Sequence, residues 1–257
     1  MDGSLKFKKS LLILSVLFLA SAGYPNTPVV TIGSDAGASV IIQKRRITLV
    51  RSGNIARQFP DRRRAVVIYP VIGGPRNSAV LRKVRALLDF KNIFDTSLAE
   101  YRSDAWLTEF DYKVNYNKNF ILDITFTQSG MGAYPDTHTK HFAINLRSGE
   151  LIQASDAFTS LDALARLVNQ KLQAEIEQVK KENPGERESI EPTLNDLRID
   201  ASGLNDLSVN ARGVTFIYDA GFPHVIQALE PVGRYFFNFT ELKPYIRPDG
   251  PLGVFIR

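Results

Sequence analysis

The sharpest alternation of apolar and polar positions lies between residues 107 and 128. Phe110, Tyr112, Val114 and Tyr116 alternate with polar neighbours, and Phe120, Leu122, Ile124 and Phe126 repeat the pattern. A period of two marks strands with one buried face. Asn117-Lys118-Asn119 between the two runs has turn chemistry, so the segment predicts a tight hairpin. Phe142-Ala143-Ile144 and Leu151-Ile152 predict a further pair joined across Ser148-Gly149. "AVVIYPVIGG" from Ala65 reads as a buried strand stopped by the turn Gly73-Gly74-Pro75. "SVIIQKRRITLVRSG", 39–53, reads as a strand or hairpin around a basic centre, and short strands are expected at 197–199, 207–209, 214–218 and 235–239.

The period changes to helical twice. Val80, Leu81, Val84, Leu87 and Leu88 predict a helix over about 77–90, with Asn77 or Ser78 as its cap. Leu161, Leu164, Leu167, Val168, Leu172, Ile176 and Val179 form one stripe of a second helix over 160–181. Thr159 and Asp162 suggest its capping pair, and Asn183-Pro184-Gly185 its stop. "PGERESIEPTLND" after it reads as a charged loop. The expected fold class is α+β: antiparallel sheet or sheets packed with these two main helices. The expected division is a signal peptide (1–22), a basic leader (23–60), and two α+β halves (61–155 and 156–257) that form one unit.

The N-terminus carries Lys6, Lys8 and Lys9 before a mostly apolar run of about a dozen residues, shorter than the roughly 20 that a spanning helix needs. It ends in Ala20-Ser21-Ala22, the small-x-small pattern of a cleaved secretory signal. The expectation is an exported protein at the periplasm or the extracellular envelope face, with no transmembrane span in the mature chain. There are no cysteines, which excludes thiol nucleophiles, disulfides and thiolate zinc sites.

The net charge of +5 hides an asymmetry. Residues 40–91 hold thirteen basic and two acidic residues, a balance of +11; residues 92–257 hold sixteen and twenty-three, a balance of −7. Arg62, Arg63 and Arg64 make the basic segment a candidate for docking on anionic envelope polymers. For an exported protein, nucleic acid is not the expected partner.

Candidate chemistry is sparse. His138 and His141 stand three apart where the chain leaves a turn and enters a predicted strand; strand geometry points such a pair to opposite faces and away from joint metal ligation, with His138 read as an exposed loop residue. Ser129 sits in "QSGMG", without the Gly-x-Ser-x-Gly elbow, and His224 in "GFPHVI" is the one remaining imidazole. No glycine-rich loop opens a helix after a strand, so no nucleotide is implied. No metal, cofactor or catalytic constellation is expected, although a carboxylate pair brought together by the fold remains open.

"FDYKVNYNKNFILDITFTQSGMGAYPDTHTKHFAINLRSGELIQASDAF", residues 110–158, resembles a family of bacterial extracytoplasmic domains. These occur in lysozyme-sensing anti-sigma-V factors and, as a related module, ahead of a peptidoglycan deacetylase domain. The shared features are the aromatic hairpin, a Gly-Ala turn, a Leu-x-Ser-Gly turn and a Ser-Asp-Ala-Phe start to the long helix; 214–246 resembles the closing strands. Met131-Gly132-Ala133-Tyr134 stands where the family often has Gly-Gly-Ala-His, and Glu230 is retained. A signal peptide in place of a sigma-binding part implies the extracytoplasmic module used alone. The resemblance implies an exported, non-catalytic binding module whose ligand is a lysozyme-type protein or cell-wall glycan. Tyr134, Asp136 and His138, in an expected exposed turn, are the candidate contacts. The alternatives are an envelope hydrolase using a carboxylate pair, or docking through the basic face.

Overall fold

A computed structural model describes residues 39–74, 79–185 and 187–257. The expected signal peptide, the leader up to residue 38 and the turn and cap residues 75–78 lie outside them. The chain opens with β1 (Ile41–Val50), one strand rather than a hairpin, followed by the short α1 (Gly53–Gln58) and by β2 (Arg64–Gly73). β1 and β2 pair antiparallel from Ile41–Gly73 to Val50–Arg64. Three helices follow: α2 (Ala79–Leu87), α3 (Phe90–Phe94) and α4 (Leu98–Ser103). They form a crossover, because the next strand, β3 (Leu107–Lys118), lies parallel to β2. The other pairs of this sheet are antiparallel, as expected, and this pair alone is parallel.

β3 and β4 (Ile121–Met131) form the predicted hairpin. Its two central residues, Asn119 and Phe120, have φ of 54° and 62°, the left-handed pair that matches the twist of the strands. β5 (Pro135–Asn145) and the two-residue β6 (Glu150–Leu151) complete a six-stranded sheet in sequence order. One face carries Val67, Phe110, Ile124, Phe126, Phe142 and Ile144, which meet Leu81, Val84, Leu88, Ile93 and Tyr101 from the crossover helices.

After β6 come the single turn α5 (Ala154–Ala157) and the long α6 (Leu161–Glu182), within a residue of its expected span. Its stripe Leu164, Val168, Leu172 and Ile176 is fully buried. The Thr159–Asp162 cap does not form. Ser160 occupies the cap position at φ 35° with no side-chain capping bond, and Thr159 instead donates its N–H and hydroxyl to Tyr245 O. The expected charged loop contains α7 (Arg187–Asn195), held by Ile190 and Leu194 one turn apart in the second core. No strand forms at 197–199. β7 (Leu207–Val209), β8 (Gly213–Ile217) and β9 (Arg234–Asn238) make a three-stranded antiparallel sheet, followed by α8 (Phe239–Leu242). α6 shares the second core with Phe158, Phe216, Phe237, Leu242 and Leu252, and Tyr116, Ile121 and Ala143 of the larger sheet join it. The fold is thus α+β, with a six-stranded and a three-stranded sheet. Among the described residues no helix is long and apolar enough to cross a membrane.

Candidate functional site

The β4–β5 hairpin ends at the Met131–Pro135 pair, closed by Gly132 N–H donating to Tyr134 O at 3.1 Å. Tyr134 is in the turn and 63% exposed, and its ring stacks on His224 with centroids 4.7 Å apart. Asp136 and His138 lie on β5 itself, opposite Gly130 and Gln128, rather than in the turn. Their side chains pair, Oδ2 to Nε2 at 3.1 Å, and the His138 ring lies 5.5 Å from Trp106. The β-branched Thr137 and Thr139 were the only local signal for this placement: the strand starts earlier than its first apolar residue, because pairing with β4 and not burial defines it.

Gly130 is required here by close approach. A Cβ at this position would stand 2.2 Å from Trp106 O and 2.6 Å from the indole. Gly130→Ala should therefore destabilise the protein by about 2 kcal/mol and shift the emission of Trp106, the only tryptophan. Urea unfolding followed by that emission checks it; an unchanged midpoint would show that the backbone and indole of Trp106 both have room to move.

The three arginines part company. Arg62 is half-buried, donates from Nη1 to Met131 O and lies over the Phe59 ring, so it supports the turn end of the same hairpin. Arg63 is exposed and offers its carbonyl to Arg51 N–H at 2.9 Å, and the exposed Arg64 opens β2.

The other face of β4 and β5 carries a hydrogen-bonded chain toward the small sheet. Asp123, fully buried, accepts from Val209 N–H at 2.6 Å, Asn115 Nδ2 at 2.7 Å and Ser208 Oγ at 2.9 Å. Asn115 Nδ2 also donates to Thr125 Oγ1 at 2.7 Å, and that oxygen lies 2.9 Å from His141 Nδ1. Arg234 Nη1 is 2.9 Å from His141 Nε2. A guanidinium only donates, so Nε2 accepts and the imidazole proton sits on Nδ1, donated to Thr125. Burial, with Arg234 beside it, brings the His141 pKa down to about 4. Burial raises the Asp123 carboxyl to about 6, against the pull of its three donors. His138 and His141 thus face opposite sides of β5, as their spacing implied.

His141 and Thr139 form one wall of a polar cleft of about 310 Å³. Asp206, Tyr218, Asp219, Glu230 and Arg234 line it too. Burial raises the Asp206 carboxyl, Arg234 opposing and Asp219 adding to the rise. Asp219 and Glu230 both accept from Gly221 N–H, at 2.9 and 2.8 Å. Glu175 of α6 fixes the strand entering the cleft, accepting from Val232 N–H at 2.7 Å and Tyr235 hydroxyl at 2.9 Å. With His141 neutral, three carboxylates face one guanidinium. Val232, in the cleft lining, is 75% exposed, and Val225, next to His224 in the chain, is 88% exposed. Asp206, Asp219 and Arg234 were not legible as site residues, because β8, β9 and β5 meet only in the tertiary fold. A second, mostly apolar cleft of about 670 Å³ lies between α2 and β5–β6, lined by Ala86, Leu87, Phe142 and Leu151, with the Lys83–Glu150 ion pair at 2.6 Å. Among the described residues no group of three potential ligands could hold a metal ion.

No family model matches the chain, and no curated protein does. Solved structures do. A member of the DUF3298 family from Bacteroides fragilis is similar over 85% of this chain and 98% of its own, with a TM-score of 0.54 at 13% identity. A DUF3298 family protein from Pseudomonas aeruginosa matches over 84% and 98%, with a TM-score of 0.49 at 12% identity. At these identities the likeness to the first is one of fold, and it extends along nearly the whole of that protein.

Proposed function

We propose that the protein is an exported, non-catalytic binding module of the bacterial cell envelope, and that its ligand is a cationic protein of the lysozyme type. The observation that carries this reading is the acidic cleft of Asp206, Asp219 and Glu230, with the exposed Tyr134–His224 stack among the nearby elements. Carboxylates with an aromatic anchor suit a partner that presents lysine or arginine. Both nitrogens of the cleft imidazole are occupied, which suits recognition better than proton transfer. The sequence resemblance to the extracytoplasmic domains of lysozyme-sensing anti-sigma-V factors points the same way.

Titration against c-type lysozyme at low and moderate salt tests it, with an unrelated protein of similar positive charge as control. Binding should survive moderate salt and exceed the control. Asp219→Asn with Glu230→Gln keeps the oxygens that hold Gly221 but removes two charges, and should weaken binding on the order of tenfold. Binding equal to the control, or lost on adding salt, would mean charge attraction alone.

A second reading rests on two carboxyl groups of the same cleft, Asp206, which burial raises, and Asp219 near it, since a glycan hydrolase works with a carboxyl pair. Clearing of peptidoglycan by the protein, and its loss in Asp206→Asn, would establish that reading in place of the first. Binding of cell-wall glycan without clearing would keep the module and change its ligand.

A further inference from the structure

We propose that a second copy of this chain pairs with the open edge of β5, joining two six-stranded sheets into one across a two-fold axis at His138. This pairing goes beyond the ligand reading above and stands without it. β6 covers β5 only at Ile144 and Asn145, with Ile152 N–H adding one bond to Ala143 O. Along the remaining edge, from Pro135 to Phe142, no strand pairs among the described residues, and residues 135–140 are all exposed. An uncovered strand of this length is a template for another strand. The opposite edge of the sheet, β1, carries Lys44-Arg45-Arg46, all exposed, a like-charged run that repels its own copy. β5 has no such guard.

Its sequence is instead self-complementary. Ala143 O and Asn145 O point outward, since they accept from Ile152 and Gly149 rather than from β4. Backbone direction alternates along a strand, so Thr137, Thr139 and His141 also turn N–H and C=O to the open edge. Antiparallel pairing must set outward residues opposite outward residues. An axis through His138 does so: Thr137 meets Thr139 of the second copy and exchanges both backbone bonds with it. Thr137 N–H, which bonds Asp136 Oδ1 at 2.7 Å, turns to the new strand. Asp136 then stands opposite Lys140 of the second copy, and Lys140 opposite its Asp136, in the closer non-hydrogen-bonded positions. The stretch "DTHTK" thus pairs opposite charges at both ends and threonines between them. Moving the axis to Thr137 or Thr139 keeps the backbone parity but loses both charge pairs.

Sedimentation velocity of the full chain across a wide concentration range tests this without any ligand. The expected result is a concentration-dependent dimer. Asp136→Lys or Lys140→Asp alone sets like charges opposite and should weaken dimerisation on the order of tenfold; the two together should restore it. Thr139→Pro removes an outward N–H but no bond to β4, so it should give a folded monomer, with folding checked by Trp106 emission. A monomer at every concentration overturns the proposal. So does a dimer that Thr139→Pro and both charge reversals leave unchanged.

Discussion

Replacing Arg51 with methionine should cost the protein about 3 to 5 kcal/mol of stability, a loss at the upper end of what one substitution does. Arg51 is 1% exposed, and its guanidinium donates to carbonyls in three separate segments: Asp104 O after α4, Arg62 O before β2 at 2.5 Å, and Leu107 O at the start of β3 at 2.6 Å. A planar group with several donors in a fixed fork is what such a junction needs. Burial lowers the Arg51 pKa, and the nearby Asp104 charge opposes that. Methionine fills the space but leaves those carbonyls without donors, at about 1 to 3 kcal/mol for each that water fails to reach. Lysine keeps the charge but not the fork and should recover less than half of the loss. The effect reaches the hairpin end, because the segment tied through Arg62 O also supplies the Arg62 side chain to Met131 O. Urea unfolding of the three proteins, with equal slopes required, measures it. A loss below about 1 kcal/mol would mean that water replaces the guanidinium at all three carbonyls.

What was legible in the sequence followed the strength of local pattern. The β3–β4 hairpin and α6 were read nearly to their ends, because their periodicity is long and their burial is one-sided. α4 was missed although Ser97-x-x-Glu100 is a capping box whose two reciprocal bonds both form. Its helix is six residues, too short for periodicity to announce it. α7 was hidden by Pro192 and by charge; two buried residues, Ile190 and Leu194, hold it against the second core. The parallel β2–β3 pair could not be read at all, since nothing local specifies which strand a crossover rejoins. At the site, Tyr134 was visible as a turn residue and His224 as an isolated imidazole, but their stacking is a tertiary event. The cleft acids follow the same rule: Asp206, Asp219 and Glu230 come from loops that acquire a shared wall only when β7–β9 fold against β5. Arg51 had no pattern to betray it, because a buried arginine looks like any other residue of a basic segment.

Between pH 4 and 6 the native protein's stability should carry two opposed slopes, from Asp123 and His141, and relative to it two single variants should tilt in opposite directions. Asp123 releases its proton at about 6 when folded and near 3.8 when unfolded. Across that window the folded state holds a proton that the unfolded state has lost, so this group's contribution falls as pH rises. His141 does the reverse. Its folded pKa is about 4 against 6.5 unfolded, so the unfolded state binds a proton that the folded state refuses, and stability falls as pH drops from 6.5 toward 4. At about 1.4 kcal/mol per unit, Asp123 carries roughly 3 kcal/mol over its window; His141, partly solvated, carries a discounted 1 to 2. His141→Gln removes the second slope and should leave a protein that weakens by about 2 to 3 kcal/mol from pH 4 to 6. Asp123→Asn removes the first and should leave one that strengthens by about 1 to 2 kcal/mol up to pH 6.5, below a constant penalty because one of the two oxygens that serve Asn115, Ser208 and Val209 becomes an NH2 group. Groups such as Glu100 and Asp200, held low by local hydrogen bonds, titrate alike in all three proteins and cancel in the differences. Urea midpoints at half-unit steps of pH measure the slopes. Parallel profiles in the native protein and both variants would show that neither Asp123 nor His141 titrates out of its usual range. Opposite tilts that cancel in the double variant would establish that the polar chain from Asp123 to Arg234 balances a buried acid against a buried base.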